Sequence, residues 1–336
     1  MAEKVFFVIG SPRSGSTLLA RMLGSHSQIQ TRGEPHMLTP LAHLGYYEKV
    51  DKASYDAVLA AESIREFVSE LPGGERDYIE ACRAYTDTLY GRYLDQHPDK
   101  ALFLDKTPAY ALILDFMARV YPDARYVVLT RHPLAIFSSF AESFFDSDYQ
   151  AALDYNPICE RYVPAIAKFL REAKTPQYHV VYEDLVADPE PVLKEIFEFL
   201  GLEHEPDAVD YGKHGSAGKG LGDPIGVKKY SRPSTASIHK WAAEIAGNPQ
   251  RMELCRGIVD RLAPEDLALW GHPLETIWQP LEEAGAAGAT PKPKKLDRYR
   301  LQRKLIVNLR KMVARSDGLR KLLGRLRLAT DVLLRE

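Results

Sequence analysis

The chain has 336 residues, of which 45% are hydrophobic and 27% charged, and these proportions are typical of a globular protein with one large or two smaller domains. Its net charge of −2 gives no whole-chain reason to expect nucleic-acid binding. The charge is unevenly divided, since residues 291–336 carry 15 Lys and Arg against 4 Asp and Glu, a net charge of +11, and residues 1–290 carry −13.

The cysteines and histidines predict neither a disulfide framework nor a metal site. Only Cys82, Cys159 and Cys255 occur, without a C-x-x-C spacing, and the histidines lack an H-E-x-x-H or similar ligand spacing. The first apolar run, 5–9, is too short for a signal-peptide core, and no run approaches the roughly 18 apolar residues of a membrane span. We therefore expect a cytoplasmic protein without a catalytic metal.

Short apolar runs alternate with helical patterns along most of the chain. The runs rich in β-branched and aromatic residues, which we predict to be buried parallel strands, are 5–10, 101–105, 124–130 and 178–185. Helical patterns lie at 17–25, 110–120, 133–142, 158–171 and 191–200, the last ended by Gly201. This alternation predicts an α/β fold with a doubly wound parallel sheet flanked by helices.

Residues 36–100 interrupt the alternation and are predicted to form a helical insertion. Two helical stretches, 54–71 and 78–96, are joined by the turn Pro72-Gly73-Gly74. The insertion is rich in tyrosine, at Tyr46, Tyr47, Tyr55, Tyr78, Tyr85, Tyr90 and Tyr93. These rings either line an apolar binding pocket or simply pack the inserted hairpin.

The C-terminal third contains a long loop, a linker and a basic tail. Residues 211–235 are glycine-rich and are predicted to be a loop, followed by a helix at 235–246. We place the folded domain at 1–280, a linker at 281–295 and an amphipathic helical tail at 296–336, with an apolar stripe flanked by Arg and Lys. Three roles remain open for the tail: self-association, contact with an anionic membrane surface, or docking on the acidic domain.

The first predicted strand runs into a loop suited to an anion. The sequence Gly10-Ser11-Pro12-Arg13-Ser14-Gly15-Ser16-Thr17 precedes a predicted helix, so backbone N–H groups and a helix N-terminus converge there. The spacing is nearly that of a Walker A P-loop, but Ser16 occupies the position of the lysine. This argues against ATP or GTP hydrolysis, leaves a cradle for a 5′-phosphate, and makes Arg13 the replacement cation.

The fragment G-x-P-R-S-G-[ST]-T-L resembles the 5′-phosphosulfate loop of sulfotransferases that use 3′-phosphoadenosine-5′-phosphosulfate (PAPS), especially the tyrosylprotein and bacterial branches. The resemblance extends over roughly residues 4–245 and implies a P-loop-type sheet. It assigns the donor phosphosulfate to Ser11, Pro12, Arg13, Ser14, Gly15, Ser16 and Thr17. Cytosolic sulfotransferases carry a lysine in place of Arg13 and an aromatic in place of Leu18, so this chain is more similar to the other two branches.

Three further segments are similar to the nucleotide site of that family. Arg131-His132-Pro133, with Ser139 eight residues after Arg131, resembles the 3′-phosphate site, for which Ser138 is the alternative serine. The segment around Tyr182 resembles the part that contacts the adenine, and 218–223 resembles the glycine-lysine loop over the 3′-phosphate. The nucleotide-binding residues implied are therefore Arg131, Ser139, Tyr182, Lys219 and Gly220.

The resemblance also implies the groups that act at sulfur. Glu34, in Gly33-Glu34, is similar to the catalytic base of the family, and His36 remains its competitor. Lys106, in Leu104-Asp105-Lys106-Thr107-Pro108, would work beside Arg13 on the sulfuryl and bridging oxygens, or would otherwise pair with Asp105 or Glu34. Which of Ser231, Ser234 and Ser237 contacts the sulfuryl group stays open.

The resemblance implies transfer of a sulfuryl group from PAPS, without a metal, to a hydroxyl or amine of a small molecule, lipid or carbohydrate. The insertion 36–100 would cap the acceptor, and its tyrosines and the tail favour an apolar or membrane-associated one. The tail would then serve peripheral membrane contact or homo-oligomerisation. The alternatives are a P-loop kinase or nucleotide-binding protein with a degenerate Walker A loop, and a non-catalytic adaptor that uses the basic tail.

Overall fold

The computed structural model describes residues 3–31, 34, 38–42, 57–212 and 240–284, together with positions 232, 233, 235, 238, 316, 318, 319, 321 and 322. The predicted residues His36, Lys219 and Gly220 lie outside the described residues, as do Ser231, Ser234 and Ser237 and nearly all of the tail.

The described residues form a parallel sheet of five strands in the order β2-β3-β1-β4-β5. The strands are β1 (Val5–Gly10), β2 (Ile29–Thr31), β3 (Leu102–Asp105), β4 (Arg125–Thr130) and β5 (Gln177–Val181). Every neighbouring pair is parallel, so the doubly wound α/β prediction is confirmed.

The strands of the structure differ from the predicted ones in two places. Strand β2 was not predicted, because its three residues, Ile29–Thr31, are too few to make an apolar run. The fourth predicted strand, 178–185, overshoots, since β5 ends at Val181 and Tyr182 is already the first residue of a helix, Tyr182–Ala187.

Helices connect the strands and continue after the last one. They are α1 (Ser16–Leu23), α2 (Leu38–Ala42), α3 (Ala57–Glu70), α4 (Glu75–Leu94), α5 (Leu114–Val120), α6 (Pro133–Phe145), α7 (Tyr149–Tyr155), α8 (Ile158–Glu172), α9 (Tyr182–Ala187), α10 (Pro189–Leu200), α11 (Lys240–Ala246), α12 (Pro249–Val259), α13 (Pro264–Leu269) and α14 (Gln279–Ala284). The helix predicted at 110–120 is in fact a 3₁₀ helix, Pro108–Leu112, followed by α5. Among the residues described, no helix combines the length and apolarity needed to cross a membrane.

Both faces of the sheet are buried, as expected for a doubly wound fold. In β1, Phe6 and Val8 face a core that includes residues of α1 and α10, whereas Phe7 and Ile9 face a second core with residues of α5, α6 and α8. Because successive side chains of a strand alternate between faces, one short strand anchors both layers.

The insertion packs against the sheet through some of its tyrosines. Helix α4 brings Tyr90 and Tyr93 onto Phe103 of β3, with ring centroids 5.1 and 5.5 Å apart. Tyr90 is buried and Tyr85 is exposed. For Tyr90 and Tyr93 the packing interpretation is therefore correct, while Tyr46, Tyr47 and Tyr55 lie outside the described residues.

The carboxyl ends of the central strands meet at one edge of the sheet. Strand β1 ends at Gly10, β3 at Asp105, β4 at Thr130 and β5 at Val181. The residues that follow these ends are the anion loop, Lys106, Arg131 and Tyr182. Open parallel sheets bind their ligands at such an edge, so the fold brings the predicted groups to one place.

Candidate active site

The loop between β1 and α1 has the backbone of an anion cradle. Arg13 and Gly15 adopt positive φ values of 72° and 97°. The N–H of Ser14 donates to the carbonyl of Ser11 over 3.1 Å, which closes the turn. Alternation of left-handed and right-handed residues points successive N–H groups the same way, toward the start of α1. Within the part of the chain described, the buried hydroxyl of Ser14 has no hydrogen-bond partner, so it can donate to a bound anion.

Gly15 allows the ring of Tyr182 to lie against the loop. A Cβ atom at position 15 would lie 2.5 Å from Cδ2 and Cε2 of that ring, far inside van der Waals contact. The guanidinium of Arg131, the residue after β4, lies over the same ring, 4.4 Å from its centroid. The loop, the end of β4 and the start of α9 are thus joined through one aromatic side chain.

The two predicted arginines and the predicted serine form one cluster. Arg13 donates from Nε to the hydroxyl of Ser139 over 3.1 Å, and Arg131 donates from Nη1 to the carbonyl of Arg13 over 3.2 Å. Ser138, the alternative serine, is buried and accepts a hydrogen bond from Tyr149 over 2.7 Å. Of the two serines, Ser139 is therefore the one that reaches the loop.

Burial lowers the pKa of the Arg131 guanidinium from its ordinary value, and the nearby Tyr182 and Glu183 act in the opposite direction. Since the ordinary arginine pKa is above 12, the group keeps its charge. A buried, permanently charged guanidinium interacts strongly with an anion because little water screens it. Arg131 is thus suited to bind a phosphate.

Sequence reasoning missed the residues that support Arg131. The indole N–H of Trp270 donates to the carbonyl of Arg131 over 2.7 Å. His132 bonds through Nε2 to the carbonyl of Ile277 over 2.9 Å and accepts at Nδ1 from the N–H of Leu134. Burial lowers the pKa of His132 to about 3, so its ring is neutral and Nε2 is the donor. The chain after α12 therefore holds the end of β4 in place.

Lys106 and Glu34 form an ion pair beside the loop. Nζ of Lys106 lies 2.5 Å from Oε1 of Glu34 and 3.3 Å from the hydroxyl of Thr17. The side chains are 4% and 17% exposed, respectively. The pairing of Lys106 with Glu34, which the sequence left open, is present, and it places an ammonium and a carboxylate next to the first turn of α1.

The other predicted loop residues lie between the end of β1 and the first turn of α1. Ser11 is buried in the loop, Pro12 is partly exposed, and Ser16 is the buried first residue of α1. The described residues contain no group of three or more His, Cys, Asp or Glu side chains arranged to hold a metal ion. The arrangement is that of an anion site with cations on two sides and the carboxylate of Glu34 at its edge.

Known proteins are similar to this chain over much of its length. A family model described as "Sulfotransferase family" matches residues 6–206. The nodulation protein NoeE of Sinorhizobium fredii is 32% identical over 140 residues, 42% of this chain and 32% of NoeE. A putative protein-tyrosine sulfotransferase of Caenorhabditis briggsae is 22% identical over 212 residues, 62% of this chain and 69% of that protein. This chain thus spans about a third of the length of NoeE.

Among solved structures, the sulfotransferase domain of the Synechococcus PCC 7002 olefin synthase has a TM-score of 0.50 and 25% identity, covering 76% of this chain and 94% of that domain. The family match includes the anion loop, Glu34, Lys106, Arg131, Ser139 and Tyr182. Because the match covers more than half of the 336 residues, the chain belongs to the sulfotransferase family.

Proposed function

We propose that this chain transfers the sulfuryl group of PAPS to a hydroxyl or amine of a small-molecule, lipid or carbohydrate acceptor. The observation that carries this proposal is the Lys106–Glu34 pair in contact with Thr17. It brings a cation and a carboxylate to the point where the anion loop passes into α1. Sulfuryl transfer needs both groups there, one for the leaving phosphate and one for the acceptor proton.

The loop and its arginines fit a donor that carries phosphate groups at both the 5′ and 3′ positions. Ser14 and the loop N–H groups suit the 5′-phosphosulfate. Arg131 and Ser139 suit the 3′-phosphate, since a buried guanidinium and a hydroxyl together match a phosphate dianion. The Arg13–Ser139 hydrogen bond ties these two subsites together.

Bound PAPS would supply the sulfuryl group on a phosphate that departs as adenosine 3′,5′-bisphosphate (PAP). Glu34 accepts the proton of the acceptor while the acceptor oxygen or nitrogen bonds to sulfur and the bond from sulfur to the bridging phosphate oxygen breaks. Lys106 and Arg13 offset the negative charge that gathers on that bridging oxygen. Lys106 is held before reaction by Glu34 and Thr17, so little reorganisation is needed.

The second candidate, a P-loop kinase, is disfavoured by the contact at Thr17. In a Walker A loop this hydroxyl ligates Mg²⁺. Here it lies 3.3 Å from the ammonium of Lys106, and two cations would compete for the same oxygen. Ser16 also lacks the charge that a kinase uses on the β- and γ-phosphates.

The test is thermal unfolding with PAP compared with ATP, each with magnesium and with EDTA. A ligand at 100 times its Kd adds ~2.7 kcal/mol to the free energy of unfolding, a shift of several degrees. We expect PAP to stabilise the protein equally with and without metal, and ATP to have a much smaller effect. Stabilisation by magnesium ATP alone would contradict the proposal and favour the kinase.

Turnover is then measured with PAPS that carries a radiolabelled sulfuryl group and a panel of 4-nitrophenol, 1-octanol, glucose and octylamine. We expect the label to move to at least one acceptor and PAP to appear in equal amount. Binding of PAP without transfer to any of the four would support the non-catalytic alternative for the chain.

A further inference from the structure

A carboxylate with no role in the proposed chemistry is buried beside the active site. Asp105 ends β3 and its side chain is fully buried. Its Oδ2 accepts hydrogen bonds from the hydroxyl of Tyr90 over 2.6 Å and of Tyr110 over 3.0 Å, and Oδ1 accepts one from Thr107 over 3.1 Å. Three uncharged hydroxyl groups thus donate hydrogen bonds to one buried carboxylate.

This arrangement costs free energy that a purely structural position would not require. Burial is the largest influence on Asp105 and raises its pKa to about 6, although its three hydrogen bonds and Lys106 act to lower it. An apolar side chain of similar volume would fill the same space without the desolvation cost. The carboxylate is therefore expected to fix the positions of the groups around it.

Asp105 is connected to the two chain segments that carry Lys106 and Glu34. Lys106 is the next residue along the chain, so fixing Asp105 fixes the backbone from which the ammonium extends. On the other side, the hydroxyl of Tyr110 donates to Asp105 and accepts from the N–H of Leu38 over 3.0 Å. Leu38 begins α2 and lies four residues after Glu34.

The donor-to-acceptor direction of these hydrogen bonds requires an acceptor at position 105. The hydroxyl of Tyr110 has one proton, and its oxygen is already occupied by the N–H of Leu38, so the proton must point to Asp105. An asparagine could turn an N–H toward hydroxyl groups that are themselves donors. A phenylalanine at position 110 would leave both the Leu38 N–H and one lone pair of Asp105 without this partner.

We propose that Asp105 is a positioning residue for sulfuryl transfer, which holds Lys106 through the backbone and Glu34 through Tyr110 and the start of α2. This rests on the proposed function. Tyr90 extends the same network into α4, so the helical insertion is joined to the catalytic pair through one oxygen of Asp105.

The test compares Tyr110→Phe with a matched control, Tyr126→Phe. Both rings are fully buried and near Phe7, but the hydroxyl of Tyr126 lies within hydrogen-bond distance of the carbonyls of Met117 and Tyr121 and, among the described residues, of no group in the catalytic pair. We expect both variants to unfold at lower temperature. Only Tyr110→Phe should lower kcat, by about 10-fold to 10²-fold, with the Kd for PAP unchanged. Asp105→Asn should lower kcat in the same way.

An equal loss of thermal stability in both tyrosine variants, with kcat retained in Tyr110→Phe, would overturn the proposal. Amide hydrogen exchange distinguishes a failure of the positioning proposal from a failure of the proposed sulfuryl transfer. If the wild-type protein transfers no sulfuryl group, the function fails, yet Tyr110→Phe should still accelerate exchange in α2 whereas Tyr126→Phe should not. Unchanged exchange in α2 would overturn the positioning of the Glu34 segment by Tyr110.

Discussion

The contact between Gly15 and Tyr182 makes the donor site sensitive to a single methyl group. Gly15 has a φ of 97°, and an L residue in that region costs about 1–2 kcal/mol. In Gly15→Ala the new Cβ would also lie 2.5 Å from two ring carbons of Tyr182, so that ring must move by about 1 Å to reach ordinary contact distance. Moving the ring disturbs its stacking with Arg131, 4.4 Å away.

Two effects are therefore expected from Gly15→Ala. The strain lowers the free energy of unfolding by about 1–2 kcal/mol, a few degrees in the unfolding temperature for a domain of this size. Displacement of Tyr182 and Arg131 should weaken PAP binding by at least about tenfold, which corresponds to ~1.4 kcal/mol. Calorimetry of PAP binding and thermal unfolding measure the two effects separately.

The chain offers a control that has the same strain without the steric conflict. Gly201 follows α10 with a φ of 72°, and within the described part of the chain a Cβ there would meet only Nη2 of Arg125, at 3.9 Å. Gly201→Ala should therefore lose similar stability while PAP affinity stays at the wild-type value. If Gly15→Ala binds PAP as tightly as Gly201→Ala does, the Gly15–Tyr182 contact does not organise the donor site and the reasoning is refuted.

Three further predictions concern charge and proton transfer. Glu34→Gln should lower kcat by ~10²–10⁴ at unchanged PAP affinity, and a retained rate would transfer the role of base to His36. Ser139→Ala should weaken PAP by about 10-fold to 10²-fold but leave AMP unaffected, whereas Ser138→Ala, whose hydroxyl accepts from Tyr149, should change neither. Burial raises the pKa of Asp105 to about 6, above its value in the unfolded chain, so the folded state binds the proton more tightly. The unfolding free energy of the wild type relative to Asp105→Asn should therefore fall by about 2 kcal/mol between pH 4 and 7 in denaturant titrations, and a constant difference would contradict this.

The sheet and the location of the site could be predicted because the information is local in the sequence. Buried parallel strands are continuous apolar runs, and the polar residues that follow them must share one edge. Strand β2 could not be predicted, because its three residues are too few to form a recognisable apolar run. The strand predicted at 178–185 was too long for a local reason. Tyr182 and Leu185 continue the apolar run of β5, but both are buried residues of α9.

Partners from distant parts of the chain, unlike the Lys106–Glu34 pair, could not be predicted in the same way. Tyr90 reaches Asp105 from the insertion, and Trp270 reaches the carbonyl of Arg131 from 139 residues away. Neither residue lies in a motif, and each is one of several similar aromatic residues in its segment. Such pairings depend on how the helices pack over the sheet, which periodicity alone does not specify.

Residues that follow the neighbouring strands supply the positive charge that the anion loop lacks without a lysine. A Walker A lysine binds and stabilises the transferred group with one side chain. Here the cations are divided, since Arg131 and Arg13 lie with Ser139 on one side and Lys106 lies with Glu34 and Thr17 on the other. Changes at Arg131 and Ser139 should therefore alter donor affinity, changes at Lys106 and Glu34 should alter the rate of transfer, and changes at Arg13, which faces the bridging oxygen in the proposed reaction, should alter both. In the proposed reaction, a division of this kind would let the protein discriminate donors by their 3′-phosphate without altering the groups that act at sulfur.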